Sequence, residues 1–271
     1  MYPREALIQY IMRTATKSAL TLALSICLTA WVASSQTPAP AGAGKAGDAK
    51  AKAKATWPPE GVTPRTADGK PDLSGNWQPN AIRENVDLVS VVEVPMLPAA
   101  AAIHKNHKDN ISKDDPEARC LPPGVPRMST TPYPWTIVQT PEQVVFIYEG
   151  GAHVWRKVFM GRPLHDPAVV DTWLGDSVGW WEGDTLVIET VGQTDKSWLD
   201  QAGVPHSADM KVTERIRRPD YGHLEIEHLI EDPKTFSRPW TFTTHPSLLK
   251  GELIEYICQE NNRDLEHMIG K

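Results

Sequence analysis

The stretch Leu174–Glu189, LGDSVGWWEGDTLVIE, decides the fold. Gly175-Asp176-Ser177-Val178-Gly179 satisfies the G-x-S-x-G pattern of a serine nucleophile, which requires a strand, a sharp turn and then a helix whose N-terminus stabilises the oxyanion. No helical pattern follows. Trp180-Trp181 runs into Glu182-Gly183-Asp184, and Thr185-Leu186-Val187-Ile188 is the apolar run of a second strand. A β-barrel serine protease fares no better, because Val178 stands where a glycine would free the oxyanion backbone and no His-Cys dipeptide lies upstream. Asp176 and Ser177 therefore read as turn residues entering a strand, with Gly183-Asp184 as a hairpin turn.

Working outward, the same pattern repeats. Period-2 or continuous apolar runs bounded by turn residues occur at WTIVQT (135–140), QVVFIYE (143–149), HVWRKVFM (153–160), MKVTERIRR (210–218), HLEIEHLIED (223–232), PWTFTTH (239–245) and LIEYICQ (253–259). Their separators, such as PE, GGA and PDYG, suit hairpins rather than crossover helices. With a strand near Trp77 this gives roughly ten sequential antiparallel strands, and closing such a meander removes its exposed edges. The expected fold is mainly β: an up-and-down antiparallel barrel of about 8–10 strands over 134–271, with a sandwich as the alternative. Residues 57–133 are proline-rich and read as a wrapping extension with one short helix from Pro98 to about Asn110, opened by proline and an alanine run.

The start of the chain reads as targeting rather than fold. Arg13 and Lys17 precede the apolar run SALTLALSICLTAWVASS, and Ala33-Ser34-Ser35 suits cleavage, so 1–35 is assigned as a signal peptide. The apolar core falls short of the roughly 20 residues that span a bilayer, so no stable membrane insertion is expected after cleavage. Ile26 stands where a lipoprotein signal needs a small residue before Cys27, which argues against lipidation. Residues 36–56, rich in Ala, Lys, Gly and Pro, offer little to bury and read as a disordered tether. The expected location is periplasmic or extracellular. There Cys120 and Cys258 are a disulfide candidate worth on the order of 4 kcal/mol in the chain-entropy model, with two separate buried thiols as the alternative. A formal net charge of −6, part of whose basic complement lies in the signal and tether, makes nucleic acid an unsuitable partner.

Gly75-Asn76-Trp77 resembles the G-x-W signature of the lipocalin and calycin barrels. Arg263, in ENNRD, stands where that resemblance implies an arginine packed over the tryptophan. The combination CLPPGVPR, WEGDTLVIET and ENNRD also resembles a group of exported bacterial proteins, a likeness that implies no activity.

Alternation places polar residues inside. Leu224, Ile226, His228 and Ile230 share one face, as do Met210, Val212, Glu214 and Ile216, so neighbouring strands bring Glu214 and His228 into one apolar space. Such a pair is either an acid/base couple or an interior contact that fixes register. In the loops, Glu149 and His153 flank one turn, GRPLHDP supplies Arg162, His165 and Asp166, and GVPHS supplies His206 and Ser207. The histidines lack metal-ligand spacing, so no metal is expected, and no phosphate cradle or dinucleotide fingerprint calls for a cofactor. Ten tryptophans stand against four phenylalanines, and a large flat ring suits either a core or a pocket that stacks a ring system. Trp155, Trp173, Trp181 and Trp240 are the candidate ligand-binding walls.

The leading expectation is an exported lipocalin-like protein binding a small apolar or aromatic molecule, its polar end held by Arg162, His165 and His206. The alternatives are a cofactor-independent lyase, isomerase or hydratase on the same barrel, with catalytic candidates among His228, Glu214, His165 and His206, and a non-catalytic subunit docked to a protein partner in an exported assembly.

Overall fold

The computed structural model describes residues 57–151, 154–163 and 171–260. The signal and tether assignments, Cys27, His153, His165, Asp166 and Arg263 lie outside them. The elements in chain order are β1 (Gly75–Gln78), α1 (Ile82–Val86), α2 (Pro98–Asp109), β2 (Trp135–Gln139), β3 (Gln143–Tyr148), β4 (Trp155–Met160), β5 (Asp176–Glu182), β6 (Thr185–Val191), β7 (Lys211–Arg217), β8 (Glu225–Glu231), β9 (Trp240–Thr244) and β10 (Ser247–Leu248). The ten strands form one mixed sheet in the order β10-β1-β2-β3-β4-β5-β6-β7-β8-β9, curled into a half-barrel.

Three features differ from the sequence reading. First, β4 and β5 pair in parallel, Val158 with Ser177 and Met160 with Gly179, so the sheet is not a pure antiparallel meander. The long connection 161–175 permits this, because parallel neighbours need a crossover of about a dozen residues or more. Second, LIEYICQ forms no strand, and the last strand is instead the two-residue β10. Its Leu248 pairs with Trp77 of β1, while Ser247 also bridges His223 just before β8, so β10 links the two sides of the curl at one corner. Third, the described residues hold two α-helices rather than one: α1 as well as α2, which runs from the proline of the first turn to His107 and Lys108 in the last.

The opening stretch is β5, a turn and β6. Gly183 has φ +61°, a left-handed value that glycine adopts without a Cβ penalty, and Trp181 pairs with Leu186 across the ladder. Asp176 and Ser177 belong to β5 itself rather than to a turn before it. Ser177 is buried as the second residue of β5 and runs on into strand rather than into a helix, so it has none of the geometry of a nucleophile elbow.

The ladder registers carry one inner face around the curl: Leu248, Trp77, Trp135, Tyr148, Arg156, Ser177, Thr190, Glu214, His228 and Phe242 all lie on it. Apolar residues gather there in two clusters. One is built on Trp77, Trp135, Phe146 and Ile188, the other on Val212, Ile230, Phe236 and Trp240. Along β7 Glu214 sits between Val212 of the second cluster and Ile216 of the first, and along β8 His228 sits between Ile230 and Ile226. The seam between the clusters is therefore polar.

The segment before β2 is tied to the sheet at several points. Arg65 donates two hydrogen bonds to Asp184 in the β5–β6 turn (3.0 and 2.6 Å), and Trp57 Nε1 donates to the Leu248 carbonyl (2.7 Å). On α2, His107 stacks on Trp198 at 4.1 Å between centroids. Cys120 and Cys258 form a disulfide that spans 138 residues of sequence and holds the segment after β10 against the segment before β2.

The Arg218 guanidinium lies over Trp77, 4.9 Å from the ring centroid. Arg218 also donates to the carbonyls of Asp72 and Tyr221 (both 2.5 Å), and Trp77 Nε1 donates to the Leu73 carbonyl (3.1 Å).

Candidate functional site

The inner seam assembles from three strands. Glu214 and His228 are direct cross-strand partners, and Arg156 reaches them from β4. Arg156 Nη2 lies 2.6 Å from Glu214 Oε2 in a buried ion pair. Its Nε donates to Ser177 Oγ (2.9 Å) and its Nη2 to Thr190 Oγ1 (2.7 Å). His228 Nδ1 stands 3.7 Å from Glu214 Oε1, its Nε2 is 3.2 Å from Thr244 Oγ1, and its ring stacks on Phe242. The side chains of Arg156 and Glu214 are each 1% exposed. Ser177 is thus an acceptor for a buried guanidinium. Arg156 itself is the member that sequence reading missed.

Charge is retained in this seam by pairing. Burial disfavours the Arg156 cation, but Glu214 and Tyr148 outweigh it and raise the group above its ordinary value. Burial lowers His228 to about 4, against the attraction of Glu214, so its imidazole is neutral at pH 7. The sign of the consequence is fixed: a folded value near 4 against about 6.5 in the unfolded chain gives stability that is complete above 6.5 and lost as pH falls toward 4. That single group accounts for about 3 kcal/mol between pH 7 and pH 4. His228→Gln is expected to lose that much less over the same interval in urea melts at the two pH values, with Asp200, raised to about 6 by burial, contributing with the opposite sign in both proteins.

Three cavities stand out among the described residues, and Trp77, Trp135, Phe146, Glu214 and His228 line none of them. Glu214 and His228 come together as alternation predicts, yet no described cavity reaches them.

One cavity, about 520 Å³, lies where β4 meets the approach to β5 and is walled by Trp155, Trp173, Phe159, Leu174, Lys157 and Asp176, among others. Alternation along β4 explains the position. Arg156 and Val158 turn inward, so Trp155, Lys157 and Phe159 turn out. Trp155 is 64% exposed, where burial would be favourable for so large an apolar side chain. Lys157 and Arg162 both lie over the Phe159 ring (4.5 and 4.3 Å to its centroid), and Arg162 is ion-paired with Asp176.

The other candidate residues are dispersed. Trp181 lines a separate cavity of about 230 Å³ with Thr66, Ala67 and Asp68, with the Lys70 ammonium over its ring. Trp240 packs in the second apolar cluster against Phe236 and Phe242. His206 is buried in a polar knot: its Nε2 is 2.8 Å from Ser197 Oγ, its Nδ1 is 2.9 Å from the Ser207 carbonyl, and burial lowers its pKa. None of the three cavities includes it. The described residues contain no group of three or more His, Cys, Asp or Glu that could hold a metal ion, and no helix long and apolar enough to cross a membrane.

In comparison with known proteins the chain matches no family model, no curated protein and no solved structure.

Proposed function

We propose that this is an exported binding protein for a small apolar or aromatic molecule, held at the outer cavity beside β4. The single observation that carries the reading is Trp155, a largely exposed tryptophan that shares a cavity of about 520 Å³ with Trp173 and Phe159. That volume falls within the range of about 300–1,000 Å³ typical of ligand pockets, and flat aromatic walls bearing a few charged groups suit a ring system with a polar end. Lys157 and Asp176 on its wall, with Arg162 ion-paired to Asp176, offer the polar contacts in place of the His206 that the sequence nominates. The Cys120–Cys258 disulfide supports an oxidising compartment, as export through the 1–35 signal requires.

The test is a titration with 1-naphthalenesulfonate, followed by tryptophan fluorescence. Saturable quenching is expected, and Trp155→Ala should weaken binding about tenfold or more, since a truncated aromatic anchor typically costs over 1.4 kcal/mol. Quenching that Trp155→Ala leaves untouched would remove the cavity from consideration.

A further inference from the structure

We propose that the cavity beside β4 selects aromatic monoanions, carboxylates or sulfonates, over neutral and cationic molecules of the same shape, and that Lys157 makes the selection. The inference rests on the binding function proposed above and adds the sign of the ligand's charge.

Several charged groups approach this wall, and one positive charge is left over. Arg156 lines the cavity, but its side chain is 1% exposed and is paired with Glu214 on the inner side of the sheet. Asp176 is ion-paired with Arg162. Each of these pairs cancels. Lys157 turns outward between Trp155 and Phe159, its ammonium lies 4.5 Å from the Phe159 centroid, and among the described residues no carboxylate stands within ion-pairing distance of it. Asp171, beside Thr172 of the wall, is exposed, where water and salt screen its field.

The aromatic wall does not favour a cation. Lys157 and Arg162 already stand over the Phe159 ring, at 4.5 and 4.3 Å, and take up the attraction that its π-system offers. A further cation there meets two like charges. A neutral ring keeps its contact with Trp155 and Trp173 and leaves the Lys157 charge unmatched. Spacing favours an acid group as a substituent on a ring: Trp155 and Lys157 are alternate residues on one face of a strand, with Cα atoms about 6.6 Å apart. A bicyclic ring lying on the tryptophan therefore brings an acidic substituent within reach of the ammonium.

Calorimetric titration of the oxidised mature protein with 1-naphthalenesulfonate, 1-naphthalenemethanol and 1-naphthylmethylammonium tests the sign. The sulfonate is expected to bind tightest, with the alcohol about fivefold weaker, the size of a partly exposed ion pair. The ammonium is expected to be about tenfold weaker or silent. Lys157→Met keeps the apolar stem and removes the charge, so the gap between sulfonate and alcohol should close. Lys70→Met removes a comparable ammonium, over Trp181 in another cavity, and should preserve the gap. Thermal melts without ligand confirm that each variant is folded, and Lys157→Gln replaces the methionine variant if it is not. A gap that survives in folded Lys157→Met, or closes in Lys70→Met, would overturn the role of Lys157. Alcohol or ammonium binding as tight as that of the sulfonate, with Trp155→Ala still weakening all three, would overturn the charge preference and leave the binding function standing. Silence from all three probes would overturn both.

Discussion

Glu214→Ala is expected to destabilise the fold by about 3–5 kcal/mol, because it leaves the Arg156 guanidinium inside the curl without its counter-charge. Ser177 and Thr190 still accept from Arg156, but hydroxyl oxygens do not neutralise a cation that cannot reach water. Folded proteins commonly hold a margin of only about 5–15 kcal/mol, so the variant should unfold at a much lower urea midpoint or accumulate as aggregate. The double replacement Arg156→Met with Glu214→Leu is expected to recover most of the loss, since apolar residues of similar volume often replace a buried ion pair at little cost. Comparing urea midpoints of the parent, single and double variants decides it. A single variant within about 1 kcal/mol of the parent would mean that water or a rearranged side chain already shields Arg156.

Trp77→Ala is expected to cost about 3–5 kcal/mol, and the position of the ring explains why. Trp77 is fully buried in β1 and faces Trp135 on one neighbouring strand and Leu248 on the other. Arg218 lies over the ring and ties Asp72 to Tyr221 through their carbonyls. Truncation empties the space that all three fill. Trp77→Phe should lose about half as much, and the difference isolates the ring volume together with the Nε1 bond to Leu73. Thermal melts of the two variants, with Trp240→Ala as a control in the other apolar cluster, provide the comparison. An alanine variant that melts with the parent would show that β1 is not integral to the sheet.

Much of this was legible in the chain. The alternation of MKVTERIRR and HLEIEHLIED placed Glu214 and His228 on one inner face, and their register makes them direct neighbours. The third member was visible too: Arg156 shares parity with Val154, Val158 and Met160, an otherwise apolar face, which marks a charge that must find a partner inside. The same parity argument turns Trp155 outward and so moves the candidate ligand cavity from the interior to the outside of β4. The parallel pairing of β4 with β5 had a weaker signal, the length of 161–175 beside connections of only a few residues elsewhere. Other features had none. That Arg218 lies over Trp77 depends on the approach of segments far apart in sequence, and a loop histidine such as His206 carries no mark of whether it faces solvent or, as here, Ser197.

The shortest strand carries a consequence for how the chain matures. A polypeptide that emerges amino end first presents Gly75–Gln78 early, and β2 can pair with one side of it soon after. The other side waits for Ser247 and Leu248, after nearly every other residue of the domain has been made. For that interval the first strand carries open backbone donors and acceptors, a template that any extended segment can join. The molecule's exposure to mispairing is therefore set by the time taken to deliver those two residues.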